Sequence, residues 1–279
     1  MNIKSEHTFH IPVMGISFTI DTPIKVGRYG VSSVLSLGND KLIEELRKFY
    51  CNNYKKKYEP INDDVVDRRA LRITSYLNLL KNILDEQIAT IKNEPFKAGY
   101  DIVKYYNQLP VNSKGKYLYD LMVSSNTKEK HQLQKKLRKL IVSGSIDVNI
   151  MTKLDKVNYN KKNEPLPKEY QDAMSALRGY ANSALNSSLV FSAGFNPKLY
   201  TYIEKFPDFF PNSSGEIKKR IIIKVSDFRS AKIQGMFLAK KGIWVSEFRI
   251  ESGINCGGHS FPTNGVLIGP ILEEFKKKK

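Results

Sequence analysis

"RIIIKVSDFRSAKIQGMFLAKKGIWVSEFRI", residues 220–250, holds a complete strand–helix–strand unit. Its first six residues are an apolar, β-branched run, the pattern of a strand covered on both faces. Ser226 or Asp227 can cap the helix that follows, and Gly242 stops it before "IWVSEFRI" opens the next strand. A buried strand that returns through a helix to another buried strand implies a parallel crossover.

Working outward from 220–250, the same unit recurs. "SLVFSA" (188–193) leads to "NPKLYTYIEKF" (196–206), where the Asn196 cap and Pro197 in the first turn mark a helix start. "SIDVNIMT" (145–152) precedes the helix "PKEYQDAMSALRGYANSAL" (167–185). Near the N-terminus, "HTFHIPVMGISFTI" (7–20) reads as an apolar strand made irregular by Pro12 and Gly15. "DTPIKVGRYG" (21–30) is a short helix capped by Asp21 or Thr22 and closed by Gly30; "VSSVLSL" (31–37) is a strand, and "NDKLIEELRKFY" (39–50) a helix with Asp40 as its N-cap. "GPILEEFK" (269–276) starts a last helix near Pro270.

Between the second and third units the pattern changes to leucine-rich and polar helical stretches, with Leu77, Leu80, Ile83, Leu84, Ile88 and Ile91 forming an apolar stripe. Three divisions follow: 1–51 holds the first two β-α units, 52–142 a helical insertion, and 143–279 units three to six. Six buried strands, each followed by a helix, predict an α/β fold of (β/α)8 TIM-barrel type, incomplete at about six units. Outside the insertion roughly 190 residues remain, fewer than the roughly 200 to 250 of a full barrel.

At 279 residues and 41% hydrophobic, the chain can bury a substantial core. Cys51 and Cys256 stand far apart, in neither disulfide nor thiolate-zinc spacing, which fits a reducing, cytoplasmic compartment. No apolar run approaches the roughly 18 residues of a membrane span, so no membrane partner is expected. The net charge of +17 is spread over short lysine clusters with acids between several of them. With no zinc-finger or ribonucleoprotein pattern beside it, this distribution reads as solvated faces and argues against a nucleic-acid partner.

In such barrels chemistry sits on the loops after the strands. "ESGINCGGH" (251–259) follows the sixth strand, and His259 stands behind two glycines at a strand-to-helix junction, where a neutral imidazole is a competent general base. Cys256 reads as a small packing residue, His7 and His10 as structural, and His131 as solvated.

The order of motifs resembles the nitronate monooxygenase, or 2-nitropropane dioxygenase-like, family of FMN barrels. "IPVMG" (11–15) is similar to its first-strand Pro-small-Met element, "RYGVSSVLSL" (28–37) to its second unit, "IDVNIM" (146–151) to its third strand, and "NCGGH" (255–259) to its sixth-strand motif. Asn255 stands where the family has an acid and Cys256 where it has alanine. The resemblance implies FMN at the strand ends and a small-molecule substrate, with His259 taking a carbon-bound proton. It places Met14 and Gly15 against the ring, Asn149 and Lys224 at the flavin's polar groups, and Gly257 and Gly258 where the ring approaches. The usual phosphate loops after strands seven and eight have no counterpart here, which points to a missing C-terminal barrel half or a homo-oligomer. Two rival readings are a glutamate synthase-type FMN barrel, and a truncated, non-catalytic barrel acting as an interaction module.

Overall fold

The computed structural model describes residues 5–13, 20–152, 156–160, 162–192, 194–251, 255–256, 259–260 and 268–278. The strands are β1 (His10–Ile11), β2 (Ser32–Ser36), β3 (Ile146–Met151), β4 (Ser187–Ser192), β5 (Lys219–Val225), β6 (Val245–Ile250), β7 (Asn255–Cys256) and β8 (His259–Ser260). The helices are α1 (Thr22–Val26), α2 (Asp40–Asn53), α3 (Arg68–Asn93), α4 (Asp101–Asn107), α5 (Lys114–Ser124), α6 (Thr127–Leu140), α7 (Asp172–Ala181), α8 (Pro197–Tyr202), α9 (Phe228–Ala239) and α10 (Ile268–Lys277).

Strands β1 to β6 pair in chain order, all parallel, into one curled sheet with helices interleaved between them. This is an incomplete α/β barrel of TIM type. Parallel neighbours need a crossover, and α1, the run from α2 to α6, α7, α8 and α9 supply the five in turn. Side chains alternate across the sheet. Leu35, Val148, Leu189, Phe191, Ile221 and Ile223 point outward into one apolar core shared with the helices. At residue 144, just before β3, a side chain is excluded: a Cβ there would lie 2.0 Å from the Val31 carbonyl oxygen.

Helix starts follow the predicted chemistry in most places. Asn196 accepts from the Leu199 amide, Asp227 from the Ser230 amide, and Gly30 takes φ +82° at the end of the first helical segment. At α2 the cap is one residue earlier than expected. Asn39 accepts from the Lys41 amide, while Asp40 accepts from Arg72 at 2.9 Å. A buried guanidinium outcompetes a helix terminus for the carboxylate.

The stretch 52–142 does not pack as one unit. Residues Ile73 to Leu84 of α3 lie in the barrel's core against α7 and α2. Ile88 and Ile91, one and two turns further on, belong to a second core with α4, α5 and α6, centred on Tyr106 and Leu137. The hairpin of α5 and α6 includes a helix, α5, that the sequence reading does not contain. Its apolar residues crowd together over 117–123, broken only by Asp120, so no 3.6-residue period signals a helix there.

Candidate functional site

In a parallel sheet every strand ends on the same side, so the residues closing β2 to β6 share one rim. The inner face at that rim carries Ser36, Asn149, Ser192 and Lys224. Asn149 is opposite Ser36 on one side and Val190 on the other, and Val190 is opposite Ile222. Lys224 therefore lies on the same face, two strands away and one pleat nearer the rim. Two interstrand steps amount to about 10 Å.

Asn149 is 3% exposed. Its Nδ2 donates to Ser36 Oγ at 3.3 Å, while its Oδ1 has no partner among the described residues. An amide oxygen buried without a donor costs about 1–3 kcal/mol. Lys224 is ion-paired with Glu251, the first residue beyond β6. Next to them Thr152 Oγ1 donates to the carbonyls of Ser192 (2.9 Å) and Gly194 (2.6 Å), and Asn196 Nδ2 donates to the Thr152 carbonyl. These bonds lock the end of β3 to the loop that starts α8.

On the same face, running from Arg249 level with Lys224 back towards Asp147 and His10, lies a charged network that sequence reasoning missed. Arg249 of β6 donates to Glu247 at 2.5 Å, meets His10 Nε2 at 2.9 Å and faces Asp147 at 3.7 Å. Arginine can only donate, so Nε2 of His10 accepts and the ring is neutral. Burial and the neighbouring Arg249 both hold the His10 imidazole below its ordinary range. Asp147 also accepts from the Ser188 amide (2.9 Å) and Ser145 Oγ (2.8 Å). His10 and Arg249 are 239 positions apart, and no local spacing announces such a pair.

Of the predicted site residues, Asn149 and Lys224 reach the same inner face. Met14, Gly15, Gly257 and Gly258 lie outside the described residues, as does the side chain of His259. The backbone of His259 does correct one expectation. It pairs antiparallel with Cys256 in the two-stranded β7–β8 sheet, so the motif belongs to a hairpin and not to a direct strand-to-helix junction. Among the described residues no cluster of three His, Cys, Asp or Glu could hold a metal, and no helix is long and apolar enough to cross a membrane.

Comparison of the chain with protein-family models, with curated proteins and with solved structures finds no match.

Proposed function

We propose that the inner face at the strand ends binds FMN, and that the protein is a flavin-dependent oxidoreductase of nitronate monooxygenase type acting on a small molecule. The observation that carries this reading is the buried, unpaired Oδ1 of Asn149. A flat isoalloxazine presents an N–H donor between two carbonyls along one edge, and Asn149 Oδ1 would accept from such a donor. Lys224 would set positive charge on the same face, where it favours the electron-rich form of the ring. FMN, when bound, supplies two-electron chemistry and reaction with oxygen. His259 would take the substrate's carbon-bound proton, and Met14, Gly15, Gly257 and Gly258 would line the ring.

The fit covers the ring edge and not the phosphate. The N-termini of α8 and α9 already carry side-chain caps, Asn196 on the Leu199 amide and Asp227 on the Ser230 amide, and the Asp227 carboxylate would repel an anion at α9. A glutamate synthase-type barrel would use the same ring site without His259 as base. The interaction-module reading is favoured by one observation, that Lys224 is already neutralised by Glu251.

FMN titration followed by flavin absorbance and fluorescence tests the proposal. Saturable binding is expected, weakened at least tenfold by Asn149→Leu, the loss of one buried polar contact being worth about 1.4 kcal/mol or more. His259→Ala is expected to keep binding and lose oxygen consumption on nitroalkanes. A folded chain that binds no FMN overturns the flavin reading and leaves the interaction module.

A further inference from the structure

In α1, α3, α5 and α10 a lysine pairs with a carboxylate four positions away: Lys25 with Asp21, Lys81 with Asp85, Lys116 with Asp120 and Lys278 with Glu274. Helix α6 departs from this pattern. Its fourteen residues hold six basic side chains and one acid, Glu129, a net +5 within a chain of net +17. Lys128, His131, Gln132, Lys135, Lys136 and Lys139 are all exposed and fall on one face at helical spacing. Among the described residues no carboxylate pairs with Lys128, Lys135, Lys136 or Lys139. Lys135 and Lys139 are four apart, so the position that elsewhere holds a partner holds a like charge, which destabilises a helix.

This face is held from behind. Leu133 and Leu137 anchor α6 in the second core, and Asn126 accepts from the Glu129 amide at its start. Near its end Arg138 donates to the Lys92 carbonyl and lies over the Phe96 ring. From Lys128 to Lys139 the lysines extend about 16 Å along the axis, a length over which duplex DNA presents about ten phosphate charges.

The make-up of the face selects among anionic partners. Protein interfaces are depleted in lysine and rest on aromatic or apolar anchors. A bilayer takes an apolar helix face into its headgroup layer, and a single strand stacks its bases on aromatic rings. The exposed positions of α6 carry no apolar or aromatic side chain beyond His131. Backbone phosphates, in contrast, ask only for lysine and for polar groups such as Gln132. A helix about 10–12 Å across also fits the B-DNA major groove, about 12 Å wide, whereas that of A-form RNA is deep and narrow.

We infer that the outer face of α6 is a binding surface for the phosphate backbone of double-stranded DNA, without sequence preference. In the sequence the lysine clusters read as solvated faces because acids lie between several of them; in the fold none of the described acids reaches the four lysines on this face. The inference is independent of the flavin reading.

Its test is the fluorescence anisotropy of a labelled duplex DNA of mixed sequence and about 20 base pairs, titrated with the full chain between about 50 and 200 mM salt. Saturable binding is expected to weaken roughly a hundredfold across that range, the salt dependence of about four phosphate contacts. Replacing all four lysines (Lys128→Gln, Lys135→Gln, Lys136→Gln and Lys139→Gln) is expected to weaken low-salt binding at least about thirtyfold and to flatten the salt dependence. Glutamine keeps the helix, so the urea midpoint should not move. A matched set at exposed positions outside α6 (Lys48→Gln, Lys198→Gln, Lys232→Gln and Lys240→Gln) removes the same charge and should weaken binding by less than about fivefold. The inference is overturned if the DNA does not bind or if the matched set loses as much as the α6 set. It is equally overturned if duplex RNA, single-stranded DNA, phosphatidylserine vesicles or polyglutamate binds at least as tightly at the same salt and anionic charge.

Discussion

The two faces of the curled sheet are built for different ends. The outer face from β2 to β5 is aliphatic and aromatic almost throughout, with Leu35, Val148, Phe191 and Ile223 sealed under helices. The inner face has only a small apolar patch, Val34, Val190 and Ile222, set among Ser36, Asp147, Asn149, Lys224 and Arg249. A parallel sheet buried on both sides is ordinarily apolar on both. The contrast separates an outer face that supplies the packing from an inner, polar face on which the proposed flavin site would lie.

The largest effect should come from the outer face. Phe191 is buried and packs on Tyr200 with ring centroids 4.9 Å apart. Phe191→Ala is expected to cost about 3–5 kcal/mol, read as a shift in urea midpoint. On the inner face Asp147→Ala strands the Ser188 amide and should cost about 1–3 kcal/mol by the same measurement. If the two costs came out alike, the division between faces would be wrong.

Lys219 is the outer face's one ionisable exception. It is fully buried, donates to the carbonyls of Tyr180 (2.9 Å) and Ser183 (2.8 Å), and lies over the Tyr180 ring. Burial, with the like charge of Lys218 adding to it and Asp208 opposing it, pulls its ammonium down to about 7. In the unfolded chain a lysine titrates near 10.4, so between these values the unfolded state holds more protons. Stability should be flat below about pH 7 and then rise by up to about 1.4 kcal/mol per unit towards about pH 9. Lys219→Met should erase that slope, and a wild-type chain without the slope would mean that the carbonyl cage keeps the charge.

The smallest effect on stability belongs to Asn149→Leu, which removes an unpaired acceptor from a buried place. A change within about 1 kcal/mol is expected, in either direction, against Asp147→Ala in the same strand. A loss above about 2 kcal/mol would show that Asn149 is a structural member of the sheet and not a residue reserved for a ligand.

Much of the fold is legible in the sequence because its signals are local. Asn196-Pro197, Gly30 and the buried strand runs of β4 and β5 act over a few residues, and each appears where its chemistry predicts. The failures are contests between local and distant partners: Asp40 is taken from its helix terminus by Arg72, 32 positions away. Within the site, Asn149 and Lys224 are placed on one face by strand alternation alone. The pairing of Lys224 with Glu251, and the Arg249 hub with His10 and Asp147, depend on how tightly the sheet curls, which no window of sequence contains.

Helix α3 runs without interruption from the barrel's core into the second core, passing from Leu84 to Ile88 in about one turn. Neither core can lose this helix and stay assembled, so the two share a single rod. Heat or denaturant should consequently melt the 279-residue chain in one cooperative step, and strain applied to the α4–α6 group should be felt in the spacing of β2 and β3.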